Sequence, residues 1–153
     1  MNIKIEIDDS LEEDEVLIRC RSLTEEIYAI QRAVSETASA AQKFVFYKEN
    51  TEYYLTLDEI LFFETDGTRI CAHTRTDTYQ IRYKLYELEN ILPGFFMRVS
   101  KSTILNTNHI YSIHRNLTAS STVAFQDTHK QVCVSRLYYK PLISKLEEKR
   151  LNR

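Results

Sequence analysis

Three short runs in this 153-residue chain join a cation to hydroxyl side chains in connections between apolar segments: Thr68-Arg69, Ser100-Lys101-Ser102 and Ser135-Arg136. Arginine and lysine neutralise phosphates and reach guanine acceptors in the major groove. Serine and threonine hydroxyls bond the sugar-phosphate backbone. The chemistry on offer is recognition of a polyanion. Loop cations are also the ordinary solvated surface of any protein, so these runs need support from the rest of the chain.

Catalytic chemistry finds less material. His73, His109, His114 and His129 form no His-x-x-x-His or Cys-x-x-Cys spacing, and with two glycines the chain has no phosphate-cradling loop and no Gly-x-Ser-x-Gly elbow. Glu64 and Asp66 would share one face of a strand with no third group recruited nearby, and read as solvated turn acids. No enzyme, metal site or cofactor is expected. Cys20, Cys71 and Cys133 are too scattered, and odd in number, for a disulfide framework or a zinc cluster. Each lies in an apolar run and is expected to be a buried free thiol in a reducing cytoplasm. No signal-peptide h-region and no membrane-length apolar run occur, so a soluble cytoplasmic protein is expected. The acceptor-like triplet Asn116-Leu117-Thr118 then has no glycosylation role.

The net charge of −2 conceals an asymmetry. Residues 1–42 hold four Lys/Arg and ten Asp/Glu, a net of −6, whereas residues 43–153 hold sixteen and twelve, a net of +4. A basic binding module with an acidic companion would show this division, as would two plain solvated surfaces.

The elements that must position the candidate residues follow from patterning. Ten Tyr, seven Phe, 43% hydrophobic content and only two Gly and two Pro favour strands. Residues 2–7 and 16–21 alternate as half-buried strands that could pair. Ser22 can cap a helix from Leu23 carrying Ile27, Ile30 and Val34 on one face. Ser35–Gln42 reads as a linker or frayed helix end, with a boundary near Gln42. Beyond it the sequence predicts short strands at 44–48, 52–57, 60–65, 69–74 and 78–83, with a tight turn at Asp66-Gly67. A helix over 84–92 ends at Pro93-Gly94. Strands at 95–99, 104–105, 110–114, 122–126 and 131–135 follow, then a closing helix over about 137–151. The expected fold is mainly β: two parts, a strand-strand-helix region over 1–42 for assembly or regulation and a β domain over 43–150. Tyr53, Tyr54, Tyr138 and Tyr139 could stack on unpaired bases but read as half-buried packing.

The run Ile60-Leu61-Phe62-Phe63-Glu64-Thr65-Asp66-Gly67, then a short helix, then Phe95-Phe96-Met97-Arg98-Val99-Ser100-Lys101-Ser102-Thr103-Ile104-Leu105-Asn106, and finally Val134-Ser135-Arg136, resembles the LytTR DNA-binding domain over roughly Lys43 to Leu146. The resemblance implies an elongated, mostly antiparallel β fold whose loops enter successive major grooves and bend the DNA. It assigns base or backbone contacts to Thr68, Arg69, Ser100, Lys101, Ser102, Arg136 and Leu137. Two departures stand out: Ser100 occupies a position where the family often has His, and Leu137 follows Arg136 where a second basic residue is frequent. Arg98 and Asn106 are secondary candidates. Arg98 is expected to make a structural ion pair with an acid such as Glu64, and Asn106 to bond local backbone.

The resemblance also implies a stand-alone sequence-specific regulator of transcription, binding double-stranded promoter DNA on repeated half-sites as a homodimer. Members of this size are linked to an inhibitory membrane protein, a partner the resemblance raises here. Forty-two residues cannot supply a receiver domain. The alternative left by the residues themselves is a protein-interaction module whose acidic N-terminal part binds a basic partner and whose loops have no DNA role.

Overall fold

A computed structural model describes residues 2–12, 15–40 and 44–151. Helix α1 (Glu25–Ala40) precedes a β-rich body. The strands in chain order are β1 (Phe46–Lys48), β2 (Thr51–Tyr53), β3 (Phe62–Asp66), β4 (Arg69–His73) and β5 (Thr78–Ile81). Helix α2 (Leu85–Ile91) is followed by β6 (Phe96–Ser100), β7 (Thr103–Asn106), β8 (Ile110–His114), β9 (Ser121–Phe125) and β10 (Gln131–Val134), and α3 (Arg136–Leu151) closes the body. Seven strands form one sheet in the order β2-β1-β5-β4-β3-β7-β6, and three form a second, β10-β9-β8. Every pairing is antiparallel. The expected mainly-β architecture is what the chain adopts.

Side chains alternate along β3 and β7, which pair with each other and are covered on both faces of the sheet. Phe63 and Ile104 face one core with Phe44, Phe46, Ile70, Ile81 and the α2 residues Leu85 and Leu88. Phe62 and Leu105 face the other with Val123, Phe125, Val132, Val134 and Leu142 of α3. A strand covered on both faces must be apolar at consecutive positions, which is how Ile60-Leu61-Phe62-Phe63 reads. The three-stranded sheet and α3 therefore lie on one face of the large sheet, and α2 on the other.

The N-terminal region departs from expectation. Residues 2–7 and 16–21 form no strand, and Ile3, Ile5 and Ile7 are 89, 85 and 90% exposed. Alternation made them strand-capable, but neither supplies the other with hydrogen-bonding partners. Helix α1 starts at Glu25 rather than Leu23, because Thr24, not Ser22, caps it: Thr24 Oγ1 accepts the Ile27 N–H at 3.4 Å. It continues to Ala40, through most of the expected linker. The boundary near Gln42 lies outside the described residues. Arg32 of α1 reaches Glu148 of α3 at 3.2 Å.

The cysteines also differ. Cys71 is buried, with burial and then Asp66 and Glu64 raising its thiol pKa. Cys133 is exposed, because β10 turns Val132 and Val134 inward and Gln131 and Cys133 outward. Cys20 is exposed in the unpaired segment. Tyr53, Tyr138 and Tyr139 pack half-buried against the cores, whereas Tyr54 lies just past the end of β2 and is exposed.

Candidate nucleic-acid interface

The hairpin β3–β4 turns in two residues, Gly67 and Thr68, with Asp66 opposite Arg69. Gly67 has φ of 62°, the left-handed value that the first position of a tight hairpin loop requires and that glycine takes without steric cost. Thr68 and Arg69 are thereby held exposed at the tip of a ladder five pairs long.

The second tip, Ser100-Lys101-Ser102, joins β6 to β7. The register slips between Arg98 and Ser100, leaving Val99 as the extra residue of a β-bulge. Arg98 stabilises the distorted end: its Nε donates to the Ser100 carbonyl at 2.7 Å, and its Nη2 donates to the Lys101 carbonyl. Its Nη1 is 2.9 Å from Glu89, in α2. The expected partner Glu64 is instead 2.7 Å from His73, on the neighbouring strand. Arg98 thus shapes the backbone that carries Lys101. Ser100 and Ser102 hydroxyls lie 3.3 Å apart, and Ser100 Oγ accepts the Ser102 N–H at 3.2 Å.

Two backbone hydrogen bonds gather the three connections at one end of the molecule. The Thr65 N–H donates to the Ser102 carbonyl at 2.9 Å, setting the β6–β7 tip beside the β3–β4 tip. The Ser135 N–H donates to the Val99 carbonyl at 2.9 Å, fastening the chain that enters α3 to the bulge. Arg136 and Leu137 open α3 and are exposed, Leu137 at 79%. Arg69, Lys101 and Arg136 are all exposed and make no side-chain hydrogen bond or ion pair among the described residues. Asn106 is different. It is fully buried, its Nδ2 donates to the Ile60 carbonyl at 3.0 Å and its Oδ1 accepts the Asn108 N–H at 3.0 Å, so it ties β7 to the chain before β3.

This end, with its uncommitted cations on rigid hairpins, has the form of a nucleic-acid-binding surface, and comparison with known proteins bears on which kind. The family model of the LytTr DNA-binding domain matches residues 50–147. The chain belongs to that family. The LytTr family is one of DNA-binding regulator domains and not an enzyme class. A solved LytTr DNA-binding domain from Bacillus cereus superposes with a TM-score of 0.61 at 22% identity, covering 67% of this chain and 98% of that one. A curated HTH-type transcriptional regulator of Staphylococcus aureus strain NCTC 8325 / PS 47 is 23% identical over 95% of this chain and 98% of its own length. Its counterpart in the bovine strain RF122 / ET3-1 is 24% identical over the same shares. Despite the relatives' names, no two helices follow one another across a short turn among the described residues here.

Within the LytTr domain, sequence reasoning missed two cations at the same end. Lys140 follows Arg136 by four residues on α3, is exposed, and shares its face. Arg115, in the β8–β9 connection, lies over the Tyr139 ring at 5.0 Å, beside the first turns of α3. The four-residue spacing could have flagged Lys140. Nothing local pairs Arg115 with Tyr139.

A second group of polar residues lies at the opposite end, where the β4–β5 and β9–β10 turns meet. Lys130 Nζ donates to the Asp77 carbonyl at 2.6 Å, Thr128 Oγ1 to the Arg75 carbonyl at 3.0 Å, and Arg75 Nε to the Gln126 carbonyl at 3.2 Å. Lys48 pairs with Asp77 at 2.7 Å, which lowers the Asp77 pKa and raises that of Lys48. His73 stacks on Phe62 with ring centroids 4.2 Å apart. Burial holds its pKa below the ordinary 6.5, Lys130 adds to that, and Glu64 opposes it. No group of three or more His, Cys, Asp or Glu is placed to hold a metal among the described residues. No helix among them is long and apolar enough to cross a membrane.

Proposed function

We propose that this protein is a cytoplasmic, sequence-specific regulator of transcription that binds double-stranded promoter DNA by placing the β3–β4 tip, the β6–β7 tip and the start of α3 in the major groove. The observation that carries the reading is the convergence of three connections, each with an exposed cation that has no side-chain partner among the described residues, at one end of a rigid double-sheet body. Lys101 and Arg69 supply charge for phosphates or guanine edges, and Thr68, Ser100 and Ser102 supply hydroxyls for backbone contacts. Arg136 and Lys140 present two cations on one face of α3, where the helix N-terminus also favours an anion. Leu137 takes the place of a second basic residue, and its exposed side chain suits a thymine methyl. Arg98 works through the hairpin it holds. Asn106 is structural.

Two copies on repeated half-sites, and regulation through residues 1–42 or an inhibitory membrane protein, complete the reading. The relatives' description as transcriptional regulators supports its biological side.

The test is binding of the full chain to DNA from upstream of its own gene, followed by fluorescence anisotropy at several salt concentrations. With several phosphates neutralised, log affinity falls with log salt at a slope of about −0.9 per phosphate. Lys101→Ala weakens binding and makes the slope shallower by about one. Absence of binding to any such DNA at low salt defeats the proposal.

A further inference from the structure

Three exposed isoleucines in alternation are an unusual thing for a chain to leave in water, and Ile3, Ile5 and Ile7 are all at least 85% exposed on a segment that pairs with nothing among the described residues. An unpaired segment with apolar side chains in alternation is a template for another strand. The order of residues around it selects which one. Reading outward from Ile5, the chain meets Lys4 and Glu6, then Ile3 and Ile7. The segment is its own complement.

We propose that residues 2–8 pair antiparallel with residues 2–8 of a second copy, across a two-fold axis at Ile5. In that register Ile5 faces Ile5 of the other copy, each Lys4 faces a Glu6, and each Ile3 faces an Ile7. The three isoleucines share one face of the ribbon and the charges the other, where the Lys4–Glu6 ion pair within each copy becomes part of a four-charge group. Pairing within one chain is poorer. In the register of full overlap with residues 16–21, Lys4 stands opposite Arg19. Two strands alone are marginal, and the six isoleucines that the two copies place on one face of the ribbon add apolar contact to the backbone pairing.

Ile3, Ile5, Ile7, Leu11, Val16, Leu17 and Leu23 are all exposed, so each copy brings free apolar side chains to the pairing. The match to the staphylococcal relatives runs over 146 residues, well beyond the DNA-binding domain, so a region of this length is part of the chain they share. The inference deepens the regulator reading, since it supplies the pairing that two half-sites call for, but it is tested without DNA.

The experiment is sedimentation equilibrium of the full chain and of three variants, Lys4→Glu, Glu6→Lys and the double exchange. All three change exposed side chains, and thermal melts check that the body is intact. The wild type dimerises. Each single variant sets like charges opposite one another twice and raises the dissociation constant roughly tenfold or more. The double exchange restores dimerisation. So does mixing the two single variants, because a strand with carboxylates at both positions is complementary to a strand with ammonium groups at both, and the product holds one copy of each. A wild type that stays monomeric up to about 0.1 mM, single variants that dimerise as the wild type does, or a mixture that stays monomeric would each overturn the proposal. Dimerisation as described with no binding to promoter DNA supports this inference and defeats the regulator reading. DNA binding by a chain that never dimerises does the reverse.

Discussion

At one end of the body Arg69, Lys101 and Arg136 stand exposed without side-chain partners among the described residues, while at the other Lys130, Arg75 and Lys48 are bound to carbonyls or a carboxylate of neighbouring turns. The residue types are the same. What differs is commitment. A cation that already satisfies a carbonyl must break that bond to meet a phosphate, and a carbonyl left without a partner away from water costs about 1–3 kcal/mol. An exposed cation has no such bond to give up. The far end closes the two sheets on each other, and the near end leaves its cations without side-chain partners among the described residues. Counting basic residues does not distinguish these roles; their partners do.

The contrast is broken most directly by exchanging the expected behaviours. Lys101→Glu should raise the dissociation constant for promoter DNA about a hundredfold at low salt, since it removes one charge contact and adds a repulsion. Its melting temperature should stay within a degree or two of wild type by calorimetry, as expected of a surface change. Next comes Arg98→Ala, which frees the carbonyls of Ser100 and Lys101 and should cost about tenfold in affinity by letting the tip relax. Arg98→Lys should recover little of this, because an ammonium lacks the guanidinium's planar fork.

Lys130→Met reads the opposite way. DNA affinity should change less than about twofold, while stability in urea falls by about 0.5–1.5 kcal/mol as the Asp77 carbonyl loses one of its donors and keeps those of Thr74. The smallest effect concerns His73. Its pKa is lowered in the folded state, so as pH falls below 6.5 the unfolded chain takes up a proton that the native chain resists. Stability is therefore fully present above that value and declines as pH drops through the window beneath it. His73→Gln should flatten this part of a melting-temperature profile between about pH 7.5 and 5.5.

Much of the near end is legible in the sequence because hairpins are local. Alternating side chains, Asp66-Gly67 and the apolar run before it place β3, β4 and their tip within a residue or two. The β6–β7 tip follows from the polar interval at 100–102. The far end is not legible, because its bonds join residues 51 to 57 positions apart in two turns with no special composition. The partners of Arg98 escape sequence reasoning for a related reason. A bulge at Val99 turns the Ser100 and Lys101 carbonyls toward the guanidinium, and no pattern of side chains announces a backbone acceptor. The period-two rule, applied to β10, would have placed Cys133 outside. At residues 2–7 it states that a strand can form but not where its partner lies.

The bulge carries a consequence for how such a protein can change its target. Its extra residue, Val99, gives its carbonyl to Ser135, so one backbone irregularity joins the β6–β7 tip to the start of α3. The spacing between these two connections is then a fixed measure, set by backbone rather than by side chains. On the proposed reading, exchanging Lys101, Arg136 or Leu137, all exposed, would alter which bases are favoured at little cost to the fold. Adding or removing a residue in either connection moves the measure itself. Under that reading, new specificities would be reached by rewriting the letters at the tips, while the distance between them stays constant.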